Sequence, residues 1–322
     1  MFDVSVKYAK KMTAVISVII IITTVFTGCI DDQEFYNDLD IGYDENYNEQ
    51  YYETNFYDEE ERDSEEKLGS AKELDGTTVL VSIFADDINT SWETDENEEN
   101  MYKTLDYLSI AIEWIDENCN RYGVDPEFVY DWSQYEDLYY TTSFEYDMTY
   151  DEDDQYFSLN EYVETIVDSE NLKDKYQADN IIYMVYYNND YSSTTVSATY
   201  CWINEDTNDY PYEIVNIYTR CDGIDENPAS YAHEILHTFG APDFYLADED
   251  GQNYGITQEF VDYNEEICSN SIMFTTYDAQ TGDAYYDKIT NEFDDLVAYY
   301  VGLLSQCNEV EEWGLGKSQH IP

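Results

Sequence analysis

A chain of 322 residues with 73 Asp and Glu against 13 Lys and Arg carries a formal net charge of -60 at pH 7. Such a charge excludes nucleic acid as a partner, because its phosphates would be repelled, and it favours solubility and divalent cations without naming a substrate. Hydrophobic residues make up 43% of the chain, with 36 Tyr among them, which is enough apolar material for a core.

In chain order, Lys7, Lys10 and Lys11 give a positive start, and Ala14 to Thr27 follows as an apolar run too short to span a bilayer comfortably. Thr27-Gly28-Cys29 then sets small residues before a cysteine. The segment resembles a bacterial lipoprotein signal, with Phe26 standing where that pattern usually has Leu. The resemblance implies a signal peptide over residues 1–28, a lipid on Cys29, and a protein anchored to the outer face of a bacterial cell membrane. A simple cleaved signal and an uncleaved N-terminal anchor are the alternatives, and all three place the bulk of the chain outside the cytoplasm. From Asp31 to Asp75 there are 18 acidic residues against 3 basic ones, Arg62, Lys67 and Lys72. That composition repels itself and buries little, so residues 29–75 are expected to form an extended, disordered tether.

The remainder, residues 76–322, is long enough for one large catalytic domain. Thr77 to Ala85 is rich in β-branched residues and reads as a buried strand. Leu105, Leu108, Ile112 and Ile115 recur at helical spacing within Met101 to Cys119, and Gly123 offers a stop. Glu127 to Asp131 and Tyr139 to Tyr146 are weaker strand signals, and Leu159 to Tyr176 reads as a helix with Ser158 as its cap. Ile181 to Tyr187, Thr195 to Trp202 and Glu213 to Tyr218 read as consecutive strands, followed by a helix over Ala229 to Phe239 and a last one over Glu292 to Leu304.

The chemistry lies in the helix at Ala229 to Phe239. It carries His233-Glu-Ile-Leu-His237-Thr-Phe-Gly240-Ala-Pro242-Asp243, which includes two of the chain's three His. Residues four apart share a helix face, so the two imidazoles can converge on one ion. Neutral imidazole suits Zn²⁺, and a catalytic zinc takes three protein ligands while leaving a fourth position open. Gly240 can end the helix in a left-handed conformation and Pro242 cannot continue it, so the chain should turn and bring Asp243 back as third ligand. Glu234 would then serve as the base that takes a proton from water at the metal. A rival arrangement takes the third ligand from a Glu on a later helix, with Glu265, Glu266 and Glu292 available.

HExxHxxGxxD resembles the metzincin motif in the variant where Asp replaces the third His. The ending Gly240-Ala-Pro242-Asp243-Phe-Tyr245 is similar to that of bacterial secreted peptidases of the immune inhibitor A type. The resemblance implies an α+β fold: a metzincin-like zinc peptidase domain with a mixed twisted sheet, a long backing helix, an active-site helix, and an edge strand that pairs with extended peptide. It further implies a methionine turn beneath the metal, placed here at Ser271-Ile272-Met273. Tyrosine stands two residues after that methionine in several family members, whereas this chain has Thr275 there and its first tyrosine is Tyr277. The activity implied is hydrolysis of peptide or protein substrates by a zinc-dependent endopeptidase. The alternative is a surface lipoprotein that binds a protein or glycan, its zinc site structural or vestigial.

Two further features stay open. Export permits disulfides, and Cys201 with Cys221, at the ends of two expected strands, either pair or are buried as small hydrophobes. The loop Asp248-Glu-Asp250-Gly251-Gln-Asn253 offers oxygen ligands for a structural Ca²⁺ but lacks the full EF-hand pattern, and an acidic surface turn is the competing reading.

Overall fold

The computed structural model describes residue 71 and residues 74–92, 95–145, 148, 159, 162–191, 197–201, 212–221, 224–245 and 254–321. The expected signal, Cys29, most of the tether, the Ser158 cap and the candidate calcium loop lie outside these residues.

The elements, in order, are β1 (Thr77–Asp86), α1 (Asp95–Arg121), β2 (Glu127–Val129), a 3-10 turn (Glu136–Leu138), β3 (Tyr139–Ser143), a π-helical turn (Val163–Val167) and α2 (Ser169–Tyr176). They continue with β4 (Asn180–Tyr191), β5 (Ser197–Cys201), β6 (Glu213–Cys221), β7 (Ile224–Asp225), α3 (Pro228–Thr238), α4 (Gln258–Ile267), α5 (Asp295–Tyr300) and α6 (Asn308–Trp313). The architecture is mixed α and β around a mixed sheet ordered β2-β1-β4-β6-β5. β2 and β3 pair in parallel with successive parts of β1, and β4 pairs with it over Thr78 to Ala85. β6 runs parallel to β4, whereas β5, at the end of the order, is antiparallel to β6.

The sheet is covered on both faces, which explains why its central strands read as continuous apolar runs rather than alternating ones. Successive side chains still point to opposite faces. Leu80, Phe84, Ile182, Met184 and Tyr186 join a core with α1, α3 and α5. Val79, Val81, Ile83, Ile181, Tyr183 and Val185 join a second core with Leu138, Val163 and Leu172. α1 lays Leu108, Ala111, Ile112 and Ile115 into the first core and packs along α3. Among the described residues, no helix is long and apolar enough to cross a membrane.

Several expectations need correction. Ordered packing begins before Gly76: Ala71 and Leu74 are buried, and the Ala71 N–H donates to the Thr238 carbonyl at the end of α3 (3.0 Å). The helix expected over Leu159 to Tyr176 is interrupted, because Asp168 takes a left-handed conformation (φ 57°) after the π turn. There it caps α2 by accepting from the Asn171 N–H. The helix expected over Glu292 to Leu304 is shorter. Asp294 caps its start by accepting from the Leu296 and Val297 N–H groups, and Gly302 (φ 86°) ends it. The Cys201–Cys221 bridge is not compatible with the strand register. Cys201 lies opposite Glu213, and Cys221 stands eight residues further along the same strand, at positions 213 and 221. That is roughly 26 Å at the usual rise, against a Cα reach of about 7 Å for a disulfide.

Candidate metal centre

Every residue of α3 is buried. The helix starts where sequence chemistry favours a start: the Asn227 side chain accepts from the Ala229 N–H (2.9 Å), and Pro228 occupies the first turn, where its missing N–H costs nothing. It stops in a Schellman arrangement, with Gly240 N–H donating to the His237 carbonyl (2.8 Å) and Ala241 N–H to the Leu236 carbonyl (3.2 Å). Gly240 sits at φ 94°, a conformation that costs L-residues roughly 1–2 kcal/mol. The chain therefore reverses at Gly240, passes through Pro242 and returns Asp243 to the helix face that carries the imidazoles.

His233, Glu234 and His237 each present a ligand atom within 4.8 Å of the others, a group that could hold a metal ion. Each ring is fixed from behind. His233 Nδ1 is 2.9 Å from the Ile272 carbonyl and His237 Nδ1 is 2.6 Å from the Ala241 carbonyl. A carbonyl only accepts, so both Nδ1 atoms carry the proton, and in a neutral imidazole this leaves each Nε2 with a bare lone pair. The two Nε2 atoms face each other at 3.0 Å. Asp243 Oδ1 completes the triangle at 3.0 Å from His233 Nε2 and 3.3 Å from His237 Nε2. A tetrahedral ion with bonds of roughly 2.0–2.1 Å has ligand edges of about 3.3–3.4 Å, close to these separations.

The electrostatics carry the same signature. Burial alone would depress His237, but the Asp243 carboxylate overrides it and raises the imidazole to about 9. Burial opposes ionisation of Asp243, yet the adjoining imidazoles hold its carboxyl well below the usual range.

Met273 is fully buried, and its carbonyl accepts from the Phe244 N–H (2.8 Å), so the segment that orients His233 through Ile272 also holds the Asp243 turn. Tyr245 stacks on His233 with ring centroids 6.3 Å apart. Tyr277 is 44% exposed. Among the described residues Glu265, Glu266 and Glu292 do not join the metal group: the first two sit on the exposed face of α4. His320 is also separate, its Nε2 donating to the Phe239 carbonyl at the end of α3 (2.7 Å). The orienting carbonyls of Ile272 and Ala241 were not foreseen, since a backbone group leaves no mark on residue type. Tyr245, by contrast, stood in the sequence as the last residue of the Gly-x-Pro-Asp-x-Tyr ending.

No protein-family model matches the chain, and none of the curated proteins matches it either.

Proposed function

We propose that the chain is an extracytoplasmic zinc-dependent endopeptidase of metzincin type. The observation that carries this reading is the triangle of His233 Nε2, His237 Nε2 and Asp243 Oδ1, three acceptors within 3.3 Å of one another. Zn²⁺ held by these residues would supply Lewis acidity, acidifying water at its open position and polarising a peptide carbonyl. Glu234, beside the first imidazole, would serve as the base that accepts a proton from the attacking water and as the acid that returns it to the leaving amine. The Ile272 and Ala241 carbonyls keep both imidazoles in one tautomer and orientation, and Met273 closes the floor. The antiparallel strand β5, terminal in the sheet and packed near α3, is the edge on which extended peptide would add by backbone hydrogen bonds. The basic start, apolar run and Cys29 support a lipid anchor on the outer face of the membrane.

The full chain should bind one equivalent of zinc and cleave a mixed peptide library in a chelator-sensitive way. Glu234→Gln should retain zinc and lose roughly 10²–10⁴-fold in rate, the usual worth of a general base. Bound zinc with no cleavage of any peptide would turn the reading to a surface binding protein whose metal is structural.

A further inference from the structure

The face of α3 that carries the metal residues continues beyond them. Glu226, Ser230, His233 and His237 follow one another at intervals of four, three and four residues, so the first two lie above the imidazoles on the same side. Glu226 lies two residues before the helix and is only 6% exposed. Its Oε1 accepts from the Ser230 hydroxyl (2.8 Å), whereas its Oε2 is buried without a hydrogen-bond partner. Thr219 Oγ1, in the same cleft, is buried and unpartnered too. Glu226 Oε2 is thus a buried carboxylate oxygen without a donor, beside a cleft that Lys103 and Arg220 also line, and leaving it unpaired costs stability. Burial pushes the Glu226 carboxyl up to about 7, as expected of a carboxylate short of a counter-charge.

We infer that this cleft is the subsite for a basic side chain of the peptide substrate, with Glu226 as the residue that determines the preference; this rests on the peptidase reading above. Asp225 does not compete for the guest, because Lys103 already pairs with it. Among the described residues the cleft contributes no group of potential metal ligands. A guanidinium, with several N–H donors in one plane, brings the open carboxylate oxygen both a hydrogen bond and the counter-charge that a water lacks. The wall suits its stem: the Tyr107 ring carries the Lys103 ammonium at 5.6 Å and stacks on Tyr286 at 5.9 Å. Glu226 stands seven residues before His233, roughly 10 Å along a helix axis, a span that a long basic side chain next to the scissile bond can cover.

The test uses the zinc-loaded full chain and peptides that differ only by arginine or citrulline at each of the positions flanking the scissile bond. At one position arginine should be preferred by about ten-fold or more in kcat/KM, the scale of one charge-assisted hydrogen bond. Glu226→Gln should bring the two peptides to near equality, the arginine peptide losing its advantage over the citrulline one. Lys103→Ala, at a partly exposed position, should widen the preference. A parallel binding measurement by fluorescence anisotropy, on Glu234→Gln with the same labelled peptides, separates the two readings. Cleavage with no arginine preference overturns the subsite and leaves the peptidase standing. Arginine-selective binding that requires Glu226, without cleavage in the wild-type chain, sustains the subsite and overturns the peptidase. Neither cleavage nor selective binding overturns both.

Discussion

Asp243 shows at the scale of one residue how charge and position combine. It is the only anion in the triangle with the two Nε2 atoms, so Asp243→Asn should keep the turn while removing the charge that draws a cation there. Zinc affinity, measured by competition with a chromophoric chelator, should fall by more than the roughly 10–100-fold typical of outer-shell changes. An unchanged affinity would exclude Asp243 as a ligand. Cysteines give a second prediction. Burial pushes the Cys119 thiol up to about 12, with the Asp116 carboxylate adding to the effect. Alkylation depends on thiolate, so in the native protein at pH 8 Cys119 should react only after denaturation, whereas Cys268, partly exposed, should label first. Peptide-level mass spectrometry after a timed iodoacetamide pulse checks the order. The candidate ligands were legible in the sequence because an i, i+4 pair is a local pattern that survives without knowledge of the fold. Glu226 was not, because its importance comes from lacking a donor in three dimensions.

Elements were legible to the degree that their signal was local. The buried strands β1, β4 and β6 announced themselves through β-branched and aromatic runs, and α1 through its spacing of Leu and Ile. α4 and α6 were missed because their apolar content is sparse: α4 buries only Phe260, Val261 and Asn264, and α6 buries nothing fully. The disulfide between Cys201 and Cys221 failed for a different reason. Closeness to strand ends says nothing until register is known, and an antiparallel pairing of β5 with β6 puts the two residues at opposite ends of β6. The end of α3 is the element on which the site depends most. A side chain at Gly240 would have to adopt φ 94°, and its Cβ would lie 2.8 Å from Gln319 Nε2. Gly240→Ala should therefore destabilise the protein by about 1–2 kcal/mol. A thermal melt should fall by several degrees, on a scale of roughly 2–4 °C per kcal/mol for a domain of this size. Because the same turn aims Asp243, zinc affinity should drop with it. A lower melting temperature with unaltered zinc binding would show that the turn matters only for folding.

For the whole molecule, the net charge of -60 is the dominant property, since 13 Lys and Arg stand against 73 Asp and Glu. Among the described residues, Lys103 pairs with Asp225 and Lys175 with Asp137. Order and direction of the strands were invisible in the sequence, but this excess of acid was not, and it makes a prediction independent of the metal. Self-repulsion across an acidic surface destabilises the compact state. Raising salt from about 10 mM to 0.5 M shortens the Debye length from roughly 30 Å to below 8 Å, so the repulsion should be screened and the melting temperature should rise. Sodium chloride is the appropriate salt, because sulfate would strengthen apolar burial as well. Substrate capture should move the other way. The same field draws a cationic peptide toward the chain, so kcat/KM for an arginine peptide should decline as salt rises, while that for a neutral peptide should change little. Opposite responses of stability and capture to one variable would be hard to obtain from anything but a long-range acidic field. A melting temperature that stays flat or falls would mean that acidic self-repulsion does not limit the stability of the fold.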